Sequence, residues 1–430
     1  MNIEQLYQLY RSATGVSTDT RKIEKGNLFF ALKGPSFNAN EFAANALALG
    51  ASAVVVDEPA YVMKGDKRYL LVDNALKALQ KLAHYHRKRL NIPIVAITGT
   101  NGKTTTKELV HIVLSQKFKV KSTVGNLNNQ IGVPLTLLSM DDATEIGVVE
   151  MGANKIGDIQ ELCDIAAPSH GLITNIGKAH LEGFGDLDGV LRAKTELYQY
   201  LKSSQGTVFI NTANPVLANM VKRFEQPVLY PLPGGFYECS LIEANPFVRF
   251  QNKDGQVHST KMLGSYNFDN IATALTVGVF FGIEEAAAIK TIGAYIPTNM
   301  RSQLIEKRSN LILLDAYNAN PSSMEEAIKA FGKMTGKKHK MIILGDMFEL
   351  GDTEVEEHQK VGALSSQLDI EKVCFTGKLM QHALTYAPRG LYFPDPFSLR
   401  NWLQDSRLEE HLILIKGSRG MKLEGLVDFI

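Results

Sequence analysis

Residues 94–106 read IVAITGTNGKTTT, and this stretch decides the fold of the middle of the chain. An apolar, β-branched strand runs into a turn with two glycines, and a helix opens at Lys103 directly afterwards. Glycines let backbone N–H groups converge on an anion, and a helix N-terminus adds a positive dipole. Lys103 can reach outer phosphates, and the Thr104 hydroxyl can ligate Mg²⁺. The stretch therefore predicts a loop that binds the phosphates of a nucleoside triphosphate.

The spacing is a shorter variant of the general G-x-x-x-x-G-K-[ST] pattern. Ile97 takes the place of the first glycine, and Gly99 lies only three residues before Gly102. A glycine turn that follows a strand and binds nothing is the structural alternative. The Gly-Lys-Thr-Thr sequence at a helix start argues against that alternative.

Length, composition and charge set the broad class of the protein. A chain of 430 residues is long for one core, so we expect several domains. Its 46 basic and 45 acidic residues leave a net charge of +1, which predicts no nucleic-acid-binding surface. Three scattered cysteines support neither a disulfide framework nor a zinc site. The N-terminus has no signal-peptide pattern and no uninterrupted apolar stretch is long enough to span a bilayer, so we expect a cytoplasmic protein.

Alternating strands and helices predict an α/β protein of three domains. Residues 1–90 form a small α/β domain, residues 91–298 a central domain with a mostly parallel sheet, and residues 299–430 a Rossmann-like domain. The third domain has strands and helix starts in alternation but no G-x-G-x-x-G turn, so it is not predicted to bind a dinucleotide. Its helices are expected to begin near Ser322, Thr353, Gly377 and Phe397.

Polar residues follow several of the central strands. Glu150 ends an apolar strand, where a carboxylate needs a cation or hydrogen bonds, so it is a candidate magnesium ligand; a solvent-facing strand end is the alternative. The amide-rich loop 125–134 predicts either turns or a neutral substrate-binding surface. His180 and Lys194 are ambiguous, because a lone histidine is more often a packing residue and a helix lysine usually extends into solvent.

The third domain repeats the arrangement of a strand followed by a polar turn. Segments 315–322, 344–347 and 415–420 all have this form, which predicts a ligand cleft at one edge of the sheet. Ser322, with Glu325 three residues on, also fits a helix N-cap.

Taken together, these motifs closely resemble the Mur ligase family, the ATP-dependent amide-forming enzymes of peptidoglycan precursor synthesis. The resemblance covers essentially the full length and rests on Thr98–Thr105, Asn128–Pro134, Glu150–Gly152 and Gly177–Glu182 in the family's order. Within the family, Asp315–Met324, Leu344–Gly351 and Lys416–Arg419 resemble the member that adds D-alanyl-D-alanine to a UDP-N-acetylmuramoyl tripeptide.

The resemblance implies a UDP-precursor-binding first domain, an ATP-binding central domain and a C-terminal ligase domain. It implies ATP contacts for Gly99, Thr100, Asn101, Gly102, Lys103, Thr104, Thr105, Asn267, Asn270, Arg301 and Asp315. It implies contacts to the UDP-linked substrate for Ser17, Thr18, Asp19, Thr20, Arg21, Asn128 and Asn129. Catalytic roles are implied for Lys103, His180, Lys194 and Arg301. One Mg²⁺ is expected on Thr104 and Glu150, and a second on His180 and a CO₂-derived carbamate of Lys194.

Three positions depart from the family pattern. Tyr266 stands where a histidine is common, Met300 precedes Arg301 where glycine is usual, and Phe37–Asn40 replaces a frequent Asp-Gly-His. These departures concern the adenine-stacking surface, the local backbone path and the UDP contacts, respectively.

We therefore expect a monomeric, Mg²⁺-dependent ligase whose substrates are ATP, UDP-N-acetylmuramoyl tripeptide and D-alanyl-D-alanine, with closure of the third domain over the central one on binding. The alternatives are a sister ligase that adds a single amino acid to the same precursor, a folylpolyglutamate synthetase, and a non-catalytic nucleotide-dependent switch. The UDP-binding segment at Ser17–Arg21 argues against the folate enzyme.

Overall fold

The computed structural model of the protein describes residues 2–430. Among these residues, no helix combines the length and the apolar character needed to cross a bilayer.

The first domain is a four-stranded parallel sheet of order β1-β2-β5-β6, with a small antiparallel hairpin, β3–β4, beside it. Its strands are β1 (Val16–Ser17), β2 (Leu28–Phe30), β3 (Lys33–Gly34), β4 (Phe37–Asn38), β5 (Ala53–Val56) and β6 (Tyr69–Leu71), and its helices are α1 (Ile3–Ser12), α2 (Ala43–Ala48) and α3 (Ala75–Leu90). Helix α3 packs against the central domain, so the two domains share one apolar core.

The central domain is built on a six-stranded, fully parallel sheet of order β12-β11-β10-β7-β9-β8. Its strands are β7 (Ile94–Thr98), β8 (Val120–Ser122), β9 (Ile146–Glu150), β10 (His170–Ile173), β11 (Thr207–Asn211) and β12 (Val228–Tyr230). The helices are α4 (Lys103–Leu114), α5 (Gly132–Leu138), α6 (Asp158–Ala166), α7 (Leu181–Phe184), α8 (Leu187–Ser203), α9 (Pro215–Ala218), α10 (Asn267–Phe280) and α11 (Glu285–Ala294).

The same domain contains a second sheet that the sequence analysis missed. It is antiparallel, of order β13-β14-β15, and consists of β13 (Cys239–Ala244), β14 (Phe247–Asn252) and β15 (Val257–Leu263). Most of β13 is exposed, so the strand has no apolar run for a pattern search to find.

The C-terminal domain is a six-stranded sheet of order β16-β17-β21-β18-β19-β20, parallel except for the antiparallel edge strand β16. Its strands are β16 (Gln303–Lys307), β17 (Asn310–Asp315), β18 (His339–Gly345), β19 (Lys372–Thr376), β20 (Leu391–Phe393) and β21 (His411–Lys416), and its helices are α12 (Pro321–Lys333), α13 (Glu354–Ser366) and α14 (Pro396–Asp405). Apolar clusters cover both faces of the sheet, as expected for a Rossmann-like layer arrangement.

Two local predictions for this domain are wrong. The N-cap of α12 is Asn320, whose side chain accepts the Ser323 N–H, and not Ser322. The helix expected near Gly377 is a 3₁₀ segment, Met380–Thr385, and not an α-helix. The Asp346 carboxylate accepts the N–H groups of Leu379 and Met380 at its start.

Candidate active site

The predicted phosphate loop lies between β7 and α4, at the carboxyl edge of the central sheet. Gly99 has a φ of +140°, and a Cβ there would lie 2.0 Å from Thr174 Oγ1. Gly102 has a φ of +78°, and a Cβ there would lie 2.5 Å from Asn270 Oδ1. Only glycine fits both positions, for two reasons. Its positive φ is unfavourable for other residues, and the neighbouring atoms leave no room for a Cβ.

The segment after β10 supports the loop through direct hydrogen bonds. Thr100 Oγ1 donates to the Gly177 carbonyl at 3.2 Å and accepts the Gly177 N–H at 3.0 Å. Asn175 Oδ1 accepts the Asn101 N–H at 2.9 Å, and Thr174 Oγ1 donates to the Asn101 carbonyl at 2.6 Å. These bonds preorganise the backbone on which an anion would bind.

Lys103 is the cation of the loop. Its Nζ donates to the carbonyls of Gly99 at 2.7 Å and Thr100 at 2.8 Å. Burial lowers the pKa of Lys103 to about 8, with a smaller lowering by Arg301 and an opposing effect of Glu150. A nearby anion would therefore stabilise the protonated form.

A single cavity of about 620 Å³ joins the loop to the C-terminal domain. This volume is in the usual range of small-molecule sites. The predicted site residues that line it are Thr100, Asn101, Gly102, Lys103, Thr104, Thr105, Asn128, Asn129, Glu150, His180, Asn267, Asn270, Arg301 and Asp315. Gly99, Lys194 and Ser17–Arg21 lie outside this lining.

Glu150 is buried at the end of β9 and is held by one side-chain donor. Its Oε1 accepts the Asn128 Nδ2 at 2.7 Å, and its backbone N–H donates to Thr123 Oγ1 at 3.0 Å. Oε2 is buried and has no hydrogen-bond partner among residues 2–430. An orphaned carboxylate oxygen, on the same cavity as the Thr104 hydroxyl, fits a hard cation such as Mg²⁺. No group of three or more His, Cys, Asp or Glu side chains suited to a metal occurs in the described part of the chain.

His180 and Lys194 both lie close to the ring of Phe184. The His180 ring centroid is 6.3 Å from that of Phe184, and Lys194 Nζ is 5.3 Å from it. Burial lowers the pKa of Lys194 to about 7. The charge of Lys103 contributes to this lowering, and the carboxylates of Asp158 and Glu196 oppose it. Burial thus favours the neutral amine of Lys194 relative to a solvent-exposed lysine.

Arg301 lies flat on an aromatic ring at the cavity wall. Its guanidinium carbon is 3.8 Å from the centroid of Tyr317, and its Nε is buried without a partner in residues 2–430. The flanking Met300 and Ser302 have φ values of +57° and +51°. Met300 therefore follows the left-handed path that the usual glycine would favour, so this departure leaves Arg301 facing the cavity.

Asp315 is already paired within the C-terminal domain. Its Oδ2 lies 2.5 Å from Nζ of the buried Lys416, its neighbour in register on β21, and its Oδ1 accepts the Ser302 N–H at 3.0 Å. Tyr266 donates or accepts a bond of 2.7 Å with Ser302 Oγ. Tyr266, which stands in the family's histidine position, is thus hydrogen-bonded to the same residue, Ser302, that binds Asp315.

The asparagine pair at the start of α10 is buried and mutually bonded. Asn270 Nδ2 donates to Asn267 Oδ1 at 2.9 Å, and Asn267 Nδ2 donates to the Leu263 carbonyl at 2.7 Å. Asn270 Oδ1 accepts the Thr106 hydroxyl at 2.9 Å. The pair therefore fixes α10 against α4 in addition to lining the cavity.

The two adjacent amides of the amide-rich loop have different partners. Asn128 contacts Glu150, whereas Asn129 Oδ1 accepts the N–H groups of Ile131 and Gly132 at 3.1 and 2.9 Å and so caps α5.

In the first domain, the Ser17–Arg21 turn is held by an internal ion pair. Arg21 lies 2.8 Å from Asp19 and lowers the pKa of Asp19 to about 2. In the segment that departs from the family pattern, Asn40 Nδ2 donates to Asp57 at 2.9 Å and Asn38 Nδ2 donates to Glu58 at 3.1 Å. Asn40 Oδ1 also accepts the Asp57 N–H at 3.0 Å. Both asparagines are thus bonded within their own domain.

Sequence reasoning did not assign roles to several residues that shape the cavity. Tyr317 and Lys416 hold Arg301 and Asp315, and Asn320 Nδ2 donates to Asn101 Oδ1 of the phosphate loop at 2.8 Å. Tyr317 and Asn320 lie in the polar turn after β17, and Lys416 is the last residue of β21. Polar residues at the ends of strands were the available signal. The pattern does not tell which side chain crosses to another domain.

Comparison with known proteins agrees with this geometry. The chain matches three family domains in order: "Mur ligase family, catalytic domain" over residues 12–87, "Mur ligase middle domain" over 97–278 and "Mur ligase, glutamate ligase domain" over 300–419. It is 37% identical to the UDP-N-acetylmuramoyl-tripeptide--D-alanyl-D-alanine ligase of Bacillus subtilis, with 96% of this chain and 92% of the relative covered. The chain belongs to the Mur ligase family.

Other members show the same likeness. The ligase of the same name from Escherichia coli is 33% identical, with 96% of this chain and 92% of the relative covered. Among solved structures, MurF from Acinetobacter baumannii superposes with a TM-score of 0.88 at 29% identity, covering 99% and 98% of the two chains. MurF ligase from Thermotoga maritima, crystallised with ADP, gives 0.85 at 27% identity, covering 98% and 97%. The predicted family, the three-domain α/β fold and the class of ATP-dependent amide ligase are confirmed.

Proposed function

We propose that this Mur ligase joins D-alanyl-D-alanine to a UDP-N-acetylmuramoyl tripeptide, with ATP as co-substrate. The observation that carries the proposal is the shared cavity, on which Lys103 of the phosphate loop and Arg301 of the C-terminal side meet. The names of the relatives from B. subtilis and E. coli support the substrates, and the ADP complex of the T. maritima structure supports the nucleotide.

The proposed reaction has two steps. A carboxylate oxygen of the tripeptide attacks the γ-phosphorus of ATP, the bond to the bridging oxygen breaks, and ADP leaves. The amine of D-alanyl-D-alanine then attacks the carbonyl carbon of the acyl phosphate, phosphate leaves with the former carboxylate oxygen, and the nitrogen loses a proton. Phosphorylation is needed because a free carboxylate would have to expel oxide.

The side chains act chiefly by position and charge. Lys103 and Arg301 neutralise the phosphate oxygens, and Tyr317 holds the guanidinium plane in place. Backbone N–H groups of residues 99–105 cradle the phosphate chain, and α4 adds its N-terminal dipole. Asn267, Asn270 and Asp315 form the proposed nucleoside end of the cavity.

Two divalent cations are part of the proposal. Thr104 and Glu150 would hold one Mg²⁺, and His180 with a carbamate on Lys194 would hold the other. Bound Mg²⁺ would supply charge neutralisation at the phosphoryl oxygens. The orphaned Glu150 Oε2 supports the first site. The lowered pKa of Lys194 supports the second, because only a neutral amine adds CO₂ to form an oxygen ligand.

The remaining assignments follow the family. We propose domain boundaries at residues 90/91 and 298/299, which fall between the three main parallel or mostly parallel sheets and between the three family matches. Ser17–Arg21 would contact the UDP moiety, and Asn128 and Asn129 would line the path of the tripeptide. We also propose a cytoplasmic monomer.

A substrate-matrix assay of phosphate release tests the proposal. A UDP-linked dipeptide and UDP-linked tripeptides with lysine or diaminopimelate are crossed with D-alanyl-D-alanine, single L- and D-amino acids and buffer, and a Lys103→Met variant is the inactive control. We expect release only with a tripeptide and D-alanyl-D-alanine together. Release with UDP-dipeptide and a single amino acid would identify the sister ligase, and slow acceptor-independent hydrolysis without peptide-bond formation would identify a nucleotide switch.

A further inference from the structure

A histidine of the central domain that lines the cavity contacts a glutamate of the C-terminal domain. His180 Nδ1 is in direct contact with Glu349 Oε2. His180 lines the cavity, and Glu349 belongs to the polar segment that follows β18. The family resemblance assigned a role to His180 but none to Glu349.

The backbone on both sides is shaped to make this contact. His180 and Glu349 have φ values of +50° and +63°, a conformation that non-glycine residues rarely adopt and that persists where the surroundings fix it. The Glu182 N–H approaches the Glu349 carbonyl at 3.4 Å, and a Cβ on Gly351 would lie 3.5 Å from Glu182 Cα. The contact is thus part of a packed junction.

Other contacts cross the same boundary without touching the His180 ring. The Lys178 N–H donates to Ser322 Oγ at 3.0 Å, and Lys178 Nζ donates to Glu357 at 3.0 Å. These bonds belong to domain docking alone, so they provide a matched comparison for the His180–Glu349 pair.

The chemistry of the pair is specific because a neutral imidazole carries one N–H. A carboxylate acceptor at Nδ1 holds the proton there and leaves the Nε2 lone pair free to bind a cation or accept a proton. We propose that Glu349 is a positioning residue: it selects the Nδ1–H form of His180 when the two domains are together. Domain closure would thereby place His180 in the form whose Nε2 can bind a cation or accept a proton. The inference rests on the proposed role of His180 in the ligase reaction.

The first test measures the tautomer directly and needs neither metal nor turnover. Side-chain ¹⁵N spectra of histidine-labelled protein are recorded above pH 7 with a non-hydrolysable ATP analogue and UDP-tripeptide, without added metal, and His180→Asn assigns the signal. We expect the Nδ1–H form in the wild type, its retention in Glu357→Gln, and a shift toward Nε2–H in Glu349→Ala. An unchanged His180 signal in Glu349→Ala would overturn the proposal.

The second test separates positioning from docking by kinetics. We expect Glu349→Ala to lower kcat by about 10–100-fold with little change in KM for ATP, as for the loss of other outer-shell partners. Glu349→Gln should retain more of the rate, because its amide oxygen still accepts the N–H. Glu357→Gln should stay within about twofold of wild type. Equal losses of kcat in Glu349→Ala and Glu357→Gln would mean docking alone and overturn the proposal. Full activity of His180→Asn would instead refute the proposed role of His180 in the reaction. The spectra report the tautomer whether or not His180 has that role.

Discussion

Replacing Asn128 with leucine tests how Glu150 is prepared to hold a cation. The substitution removes the Asn128 Nδ2 donor, which lies 2.7 Å from Glu150 Oε1. Leucine has a branched side chain of similar shape and cannot donate a hydrogen bond. It also leaves the backbone anchor of Asn128, whose carbonyl accepts the Gly152 N–H at 2.7 Å. The variant therefore probes the amide group and not the path of the loop.

The size of the effect follows from the type of bond. A hydrogen bond to a charged group contributes about 1.5–3 kcal/mol, and each 1.4 kcal/mol is a factor of ten in affinity. Loss of an outer-shell partner of a metal ligand typically lowers metal affinity by about 10–100-fold. We expect Asn128→Leu to raise the Mg²⁺ concentration for half-maximal phosphate release by about tenfold or more.

The assay is a Mg²⁺ titration at saturating ATP, UDP-tripeptide and D-alanyl-D-alanine, with thermal unfolding to verify that the variant is folded. Asn219→Leu, the same substitution at an exposed asparagine outside the cavity lining, is the control and should shift the midpoint by less than about twofold. A folded Asn128→Leu variant with the wild-type Mg²⁺ midpoint would refute the reasoning.

Three further predictions follow from the buried ionisable groups. Lys194→Ala should lower the rate by about 100-fold or more, and formate or acetate should restore part of it in a phosphate-release assay; a variant at the wild-type rate would remove the second metal site. Asp315→Ala should destabilise the protein by about 3–5 kcal/mol in urea unfolding, because it leaves Lys416 buried and uncompensated, whereas Asp315→Leu combined with Lys416→Met should lose much less. Equal losses in the two variants would show that the pair is not coupled. Burial lowers the pKa of His170 from 6.5 to about 4, so the unfolded chain takes up a proton below pH 6.5 that the folded protein accepts only near pH 4. Stability should therefore fall by up to about 3 kcal/mol between pH 6.5 and 4, and His170→Phe should flatten this dependence in urea unfolding; identical pH slopes would contradict it.

Local chemistry is what made much of the fold predictable. The strand before the phosphate loop is buried on every residue, and α4 begins at Lys103 as its sequence indicates. Apolar-rich runs at residues 53–56, 146–150 and 372–376 form strands with these bounds. Strand β13 is mostly exposed and the edge strand β20 has only three residues, so their pairing depends on neighbours that a local pattern does not specify.

Some residues of the candidate site were predictable from contiguous motifs, whereas the contacts between domains were not. Loop residues 100–105 and Glu150 come from contiguous motifs, and the structure brings them to one cavity. The contacts of Asn320 with Asn101 and of Glu349 with His180 join residues far apart in sequence and on different domains. Such contacts depend on how the domains dock, which hydrophobic periodicity and turn chemistry do not encode.

The central claim is that ATP phosphorylates the carboxylate of the UDP-linked peptide, and oxygen tracing tests it most directly. UDP-N-acetylmuramoyl tripeptide labelled with ¹⁸O in its reacting carboxylate is converted with ATP, Mg²⁺ and D-alanyl-D-alanine, and the released phosphate is analysed by mass spectrometry. The account predicts one ¹⁸O atom in the phosphate for each peptide bond formed. Peptide-bond formation with unlabelled phosphate would contradict it.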